Sequence, residues 1–196
     1  MPERPNKKGS IRVYFIDEIE RFVPLFEQEE EDKKWMLAAA AAEPERILTR
    51  ENALMHMTAS SMIINETRDK VLMAYHNIYN SWAWTGGHAD GESDLLACAL
   101  KEAHEETGIR RLRPIMENAV SLEILHVPSH IKRGKYICPH LHFNLTYALI
   151  GSEEDETFIK ADENSNVGWL PIDTLDQFVS EKIMLPVYQK IISRMR

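Results

Sequence analysis

The segment of residues 86–109, GGHADGESDLLACALKEAHEETGI, constrains the fold of this chain more than any other. It begins with a Gly-Gly pair and then places apolar or small residues at helical spacing. These residues share one face of the predicted helix: Leu96, Ala99, Leu100, Ala103 and Thr107. Gly108 follows, and glycine enters the left-handed cap conformation without a Cβ penalty, so the helix is predicted to stop there.

Three carboxylates crowd the last turns of this helix. At about 100° per residue, Glu102, Glu105 and Glu106 fall within an arc of roughly 100°, away from the apolar face. Like charges three or four residues apart cost a few tenths of a kcal/mol per pair, and acids also oppose the helix dipole at a C-terminus. Either the acids are solvated, or a cation lies against them. Carboxylate oxygens suit Mg²⁺ or Mn²⁺.

The rest of the chain mixes helices and strands without regular alternation. A tail and a helical extension, with a break at Pro24 and an end at Pro44, are predicted for residues 1–50. Residues 51–196 are predicted to form the main domain, beginning with two apolar strands separated by ETRD. Later strands and a C-terminal helix interrupted near Pro186 complete an α/β (α+β) arrangement, a mixed sheet flanked by helices.

Composition limits the classes of partner. A formal net charge of -8 argues against a nonspecific grip on nucleic acid, which depends on clustered Lys and Arg. The two cysteines, Cys98 and Cys138, do not form a C-x-x-C pair, so no disulfide framework or cysteine zinc site is indicated. No apolar run approaches the length of a membrane span, and a cytoplasmic protein without membrane contact is expected.

The carboxylate-bearing segment resembles the Nudix box, G-x5-E-x7-R-E-U-x-E-E-x-G-U, where U is a bulky aliphatic residue. KEAHEETGI matches its second half in register, with Lys101 in the Arg position and Ala103 in the aliphatic one. Counting back places Gly87 at the box glycine but Ser93 where the first Glu should stand, with Glu92 one residue early. Lys101 keeps the charge of the Arg but loses its bidentate fork. The likeness begins near residue 53 and leaves residues 1–50 unexplained.

The resemblance implies a Nudix-type α/β/α sandwich and hydrolysis of a diphosphate linked to a nucleoside or another organic group. It implies Mg²⁺ or Mn²⁺ bound by Glu105 and Glu106, with Glu102 as third ligand or orienting residue. Such a metal stabilises charge on the phosphate oxygens and lowers the pKa of bound water. The general base is assigned to either Glu105 or Glu163. A homodimer is also expected from the family habit.

Four histidines form a second set of candidate ligands. His140 and His142 lie two apart on a predicted strand and hence on one face, where imidazoles could share a transition metal such as Zn²⁺ or Mn²⁺. HMTASSMIIN followed by GGHADGES also resembles isopentenyl diphosphate isomerase, a Nudix-fold enzyme, and His56 and His88 match its metal-binding histidines. Its catalytic cysteine position is Gly86 here. The four histidines either bind a second metal or phosphate, or hydrogen-bond locally.

The substrate is left open by the sequence. Trp84 precedes the box and could stack on a base, Arg133 belongs to a basic loop that could steer a phosphate, and Lys101 and Gly87 are candidate substrate contacts within the box. The leading hypothesis is a hydrolase acting on a nucleoside diphosphate derivative. The alternatives are an enzyme like the isomerase and a nucleotide-sensing module without turnover.

Overall fold

The computed structural model describes residues 14–132 and 134–196. Four α-helices are present in these ranges: α1 (Tyr14–Arg21), α2 (Glu27–Ala42), α3 (Leu95–Thr107) and α4 (Leu185–Met195). Two short 3-10 segments, Arg46–Leu48 and Ile172–Gln177, accompany them. The sequence predictions for the tail residues 1–10 and for Arg133 lie outside the described residues.

Ten strands are defined in the described part of the chain. They are β1 (Met55–Ile64), β2 (Lys70–His76), β3 (Ser81–Ala83), β4 (Thr85–His88), β5 (Arg113–Pro114), β6 (Ser121–Val127), β7 (His130–Lys132), β8 (Lys135–Ile137), β9 (His140–Ile150) and β10 (Asn164–Pro171). Eight of them form one sheet with the main order β10-β2-β1-β9-β5, while β3, β4 and β6 pair with β2, β1 and β9. Strands β1 and β9 are parallel and the other pairs are antiparallel, so the predicted mixed sheet is confirmed.

The two faces of β1 are buried against different layers, because successive side chains of a strand alternate. Met57 and Ala59 belong to a core cluster that contains residues of α1, α2 and α3. Met62 and Ile64 belong to a second cluster that contains residues of α4. The sheet therefore lies between helical layers, as predicted.

The sequence predicts α3 well. Asp94 caps its N-terminus by accepting a hydrogen bond from the Ala97 amide, and Gly108 ends it in the left-handed conformation at φ 73°. The Gly-Gly pair, however, is not a loop. Gly86 and Gly87 lie within β4, because their backbone pairs with Ser60 and Ala59 of β1. The missing side chain of Gly87 allows α3 to approach.

The N-terminal extension packs on the sheet. Its Phe15, Ile19 and Met36 are fully buried in the same cluster as the α3 residues. Glu18 accepts hydrogen bonds from the Tyr147 hydroxyl of β9 and from the Ala119 amide. The extension is thus part of the core that supports α3.

A buried ionic cluster joins α2 to β6 and α4. Its members are Glu29 of α2, Glu123 of β6, and Lys190 and Arg194 of α4. Arg194 donates two hydrogen bonds to Glu29 at 2.7 and 2.8 Å. Lys190 lies 3.1 Å from a Glu29 oxygen and 2.7 Å from a Glu123 oxygen. Its members are nearly or completely buried, so each charge depends on the others for compensation.

The C-terminal helix is shorter than predicted. Pro186 does not interrupt it; α4 starts at Leu185 and the proline lies in its first turn, where the missing amide hydrogen costs nothing. Among the described residues, no helix has the length and apolar character required to cross a bilayer.

Candidate metal and substrate site

The three glutamates of α3 lie at its C-terminal end but differ in burial. The Glu105 side chain is 40% exposed, that of Glu102 is 14% exposed, and the residue Glu106 is 4% exposed. The expectation that all three point away from the core is therefore wrong for Glu106. Its side chain is covered because β4 lies directly against this end of the helix, where Glu106 Oε1 accepts the Gly86 amide hydrogen at 2.8 Å.

The environment of Glu106 opposes its ionisation. Burial raises the pKa of Glu106 to about 8, the Gly86 hydrogen bond counteracts this, and the charges of Glu163 and Glu102 add to the increase. The carboxylate thus has one amide donor and acidic neighbours. Cationic charge at this position would stabilise its ionised form.

Gly87 fixes the approach of β4 to Glu102. A Cβ atom added at position 87 would lie 2.5 Å from Glu102 Cδ. Gly86 faces the other way, where an added Cβ would lie 2.5 Å from Ser60 Oγ and 2.7 Å from the Ala59 carbonyl oxygen. The two glycines therefore allow β4 to lie between the α3 carboxylates on one side and polar groups of β1 on the other.

Two lysines balance the more exposed acids. Lys101 lies 3.4 Å from both Glu102 and Glu105, and Lys160 lies 3.4 Å from Glu105 and 3.1 Å from Glu163. Partial burial alone would raise the pKa of Glu105. The interactions with Lys101 and, to a smaller extent, with Lys160 outweigh the effect of burial and lower this pKa. Through Lys160, Glu163 joins the carboxylate group, although it lies far away in the sequence.

The donor set fits a hard divalent cation. Glu102, Glu105 and Glu106 supply carboxylate oxygens at one helix end, and Glu163 adds another nearby, which is the chemistry that Mg²⁺ or Mn²⁺ prefers. The buried Glu106 lacks a cationic side chain within hydrogen-bond distance in the part of the chain that the structure describes. The first Glu of the box has no equivalent here, since Glu92 is exposed and accepts the Asp94 amide hydrogen.

One predicted substrate contact, Trp84, is placed differently. Trp84 packs edge-on against Tyr188 of α4, with 5.2 Å between ring centroids, so its ring contributes to the second core cluster. Arg133 lies outside the described residues, between the strands β7 and β8 of a small hairpin. Its proposed contact with phosphate stays a prediction.

The structure brings together all four predicted histidines. Ring centroids of His56 lie 5.0 Å from those of His88 and His140 and 5.1 Å from that of His142. Burial and then the neighbouring imidazoles lower the pKa of His142 to about 2, and burial lowers the pKa of His56. Both rings are therefore neutral at physiological pH.

Two residues of the site were missed by the sequence interpretation. Lys160 bridges Glu105 and Glu163, and the Asn164 side chain donates a hydrogen bond to the Glu106 carbonyl oxygen at 3.0 Å. Lys160 lies in the segment that leads into β10, and Asn164 is the first residue of that strand. A loop lysine and asparagine carry no local signal, because only the pairing of β10 with β2 brings them to α3.

Comparisons with known proteins agree with this geometry. The family model described as "NUDIX domain" matches residues 55–192. The chain is 28% identical over 102 residues, 52% of its length, to the m7GpppN-mRNA hydrolase NUDT17 of Xenopus laevis, and it spans only 32% of that relative's length.

Solved structures show the same fold. A NUDIX-family hydrolase from Clostridium perfringens superposes with a TM-score of 0.55 at 18% identity, over 72% of this chain and 98% of that one. An Ap4A hydrolase from C. elegans in a binary complex superposes with a TM-score of 0.53 at 18% identity, over 71% of this chain and 96% of that one. With the family match over most of its length, this chain belongs to the Nudix family.

Proposed function

We propose that this protein is a divalent-metal-dependent hydrolase that cleaves the pyrophosphate linkage of a nucleoside diphosphate derivative. The observation that carries the proposal is the end of α3, where Glu102 and Glu106 adjoin β4 and Lys160 lies within 3.4 Å of Glu105 and 3.1 Å of Glu163. The names of the relatives, an mRNA cap hydrolase and an Ap4A hydrolase, support a nucleotide substrate.

Glu102, Glu105 and Glu106 would hold Mg²⁺ or Mn²⁺. When bound, the metal screens the pyrophosphate and lowers the pKa of water for attack on phosphorus. Lys101 and Lys160 keep cationic charge next to the phosphate-binding region and hold Glu105 ionised. Glu105 and Glu163 both lie close to the Lys160 ammonium, at 3.4 and 3.1 Å, and either carboxylate could accept a proton from water.

Gly86, which stands in the position of the isomerase's catalytic cysteine, argues against isomerase chemistry. A side chain there would meet Ser60 Oγ and the Ala59 carbonyl oxygen at 2.5 and 2.7 Å, so the backbone leaves no room for a nucleophilic thiol. The nucleotide-sensing alternative rests on two departures from the box, Lys101 in the Arg position and Ser93 in the position of the first Glu. It predicts binding without cleavage, which the following experiment detects.

The test is product analysis over a panel of ADP-ribose, NADH, dinucleoside polyphosphates, normal and oxidised dNTPs and sugar nucleotides, each with Mg²⁺ or Mn²⁺ or with EDTA. Metal-dependent cleavage of a member, lost in Glu105→Gln, is expected. The matched control is Glu66→Gln, an exposed glutamate between β1 and β2, which should retain the rate. Binding without cleavage by the unmodified protein would refute the proposal. We also propose a cytoplasmic location and a homodimer, which fractionation and light scattering can check.

A further inference from the structure

The strand register places four histidines on one face of the sheet. His56 of β1 is the direct partner of His142 in the parallel ladder with β9, and His88 of β4 pairs with Thr58, two residues after His56. His140 lies two residues before His142. Since residues two apart on a strand and direct cross-strand partners share a face, all four imidazoles project to the same side.

The rings converge rather than merely share a face. Among the described residues, ring nitrogens of His56, His88 and His142 lie within 4.8 Å of one another, which marks them as a group able to hold a metal ion. His88 and His142 have centroids 5.0 Å apart and meet edge-on. Three imidazoles from three strands thus surround one point, and none of them is adjacent to another in the sequence.

The outer hydrogen bonds of His56 and His142 indicate which of their ring nitrogens keeps a lone pair. His56 Nδ1 lies 3.0 Å from the Asn52 carbonyl oxygen, and a carbonyl only accepts, so Nδ1 carries the hydrogen and Nε2 has the lone pair. That Nε2 is buried and has no hydrogen-bond partner among the described residues. A buried nitrogen without a partner is costly, and a metal ion would satisfy it.

His140 orients His142 in the same way. His140 Nδ1 donates to the Cys138 carbonyl oxygen at 2.9 Å, which leaves its Nε2 as an acceptor. The His142 Nε2 lies 3.2 Å from that acceptor and therefore donates to it. The Nδ1 of His142 keeps its lone pair. This is the arrangement of a metal-binding histidine, whose second ring nitrogen is held by an outer partner.

We propose that His56, His88 and His142 bind one borderline transition-metal ion of the Zn²⁺ class, with His140 as the outer positioning residue of His142. Three imidazole ligands without a carboxylate favour such an ion over Mg²⁺. Three protein ligands leave a fourth position for water or a ligand oxygen. The rings would draw in slightly, because tetrahedral ligands at about 2.0–2.1 Å lie about 3.4 Å apart.

This site is separate from the carboxylates of α3. Gly87 contacts Glu102, whereas the next residue, His88, projects to the opposite side of β4. The two sites are therefore on opposite sides of one short strand. The proposal does not depend on the hydrolase activity, and its test uses metal content.

The experiment measures metal in the full chain, purified without a histidine tag, loaded with Zn²⁺ or Co²⁺ and dialysed against Mg²⁺ buffer. About one equivalent is expected in the unmodified protein and in Glu105→Gln. His142→Gln and His56→Gln should lose it, with affinity roughly 100-fold weaker or more, and His140→Gln should weaken it about 10–100-fold. The matched control His126→Gln, on β6 opposite Leu141 and hence on the other face, should keep it.

A second readout makes the result independent of variant folding. Co²⁺ in the unmodified protein should give the intense visible absorption of a four-coordinate nitrogen site, abolished by added Zn²⁺. Failure of the unmodified protein to retain either metal would overturn the proposal. Equal loss in His126→Gln would do so too, and loss in His140→Gln as complete as in His142→Gln would overturn the outer role of His140.

Discussion

Two groups of buried carboxylates in this molecule are compensated in different ways. In the buried ionic cluster, Glu29 receives both arms of Arg194 and the ammonium of Lys190, and its pKa falls to about 2 even though burial alone would raise it. At the end of α3, Glu106 receives a single amide hydrogen from Gly86, and burial raises its pKa to about 8. The structural carboxylate Glu29 is thus paired directly with cations, whereas the described residues place no cationic side chain within hydrogen-bond distance of Glu106, and Lys101 and Lys160 pair only with its more exposed neighbours.

The two groups of carboxylates should therefore affect different properties, the ionic cluster the stability of the fold and Glu106 the metal-dependent activity. Loss of a cation from the buried ionic cluster leaves a buried charge without compensation, whereas changes around Glu106 should alter metal use more than folding. Three substitutions and one change of pH test this contrast.

Arg194→Ala should destabilise the protein by about 3–5 kcal/mol, because it leaves Glu29 buried with Lys190 as its main partner. Urea unfolding measures the change. Arg196→Ala, two residues later in the chain and paired with Asp173 at the surface, is the control and should cost at most about 1 kcal/mol. Equal effects of the two substitutions would show that the ionic cluster has no special structural role.

Acid should weaken the same cluster. Because the folded-state pKa of Glu29 lies at about 2, below its ordinary 4.5, the ionised carboxylate contributes stability that is complete above about pH 4.5 and is lost as the pH falls toward 2. The difference in unfolding free energy between the unmodified protein and Glu29→Gln should narrow by up to about 3 kcal/mol over this range. Burial raises the pKa of Glu123, which acts in the opposite direction but is present in both proteins.

The control for the acid experiment is Glu31→Gln, an exposed residue of the same helix. Its unfolding free energy should follow that of the unmodified protein at every pH. A gap for Glu29→Gln that stays constant from pH 5 to the acid limit would contradict the assignment of the acid-sensitive charge to Glu29.

Gly87→Ala should impair metal activation more than stability. The added Cβ would lie 2.5 Å from Glu102 Cδ, and the flexible glutamate can move away, which displaces a proposed ligand. Roughly tenfold weaker Mn²⁺ activation is expected, measured as the metal concentration for half-maximal rate. Gly168→Ala in β10, where the nearest atom to the added Cβ is 3.5 Å away, should leave this value unchanged.

Lys160→Gln should produce the smallest effect, and it should strengthen metal binding, whereas Gly87→Ala weakens metal activation. Removing a cation that lies 3.4 Å from Glu105 makes the carboxylate group more negative, so Mn²⁺ should bind about 2–5-fold more tightly in titration calorimetry. Lys70→Gln, whose partner Glu153 lies elsewhere, is the control. Weaker binding in Lys160→Gln would show that the lysine does not compete with the metal.

Local sequence signals predicted α3, its glycine stop and the main strands, because periodicity and cap chemistry act within one element. They failed where distant elements meet. The burial of Glu106 depends on the pairing of β4 with β1. The acids at the start of α2 carry no local signal that Glu29 meets Arg194, 165 residues away. Two-residue spacing placed His140 and His142 together, but only the parallel register of β1 and β9 places His56 beside them.

The role of the α3 carboxylates in metal-dependent cleavage is tested by the initial rate of pyrophosphate cleavage with saturating Mg²⁺ for the unmodified protein and for Glu106→Gln. The glutamine keeps the size of the side chain and an oxygen for the Gly86 amide, so the fold should persist while the charge is lost. We expect a rate reduction of roughly 100-fold or more, since metal stabilisation of the transition state contributes several kcal/mol. An unchanged rate in the folded variant would contradict the assignment of metal-dependent chemistry to the carboxylates of α3.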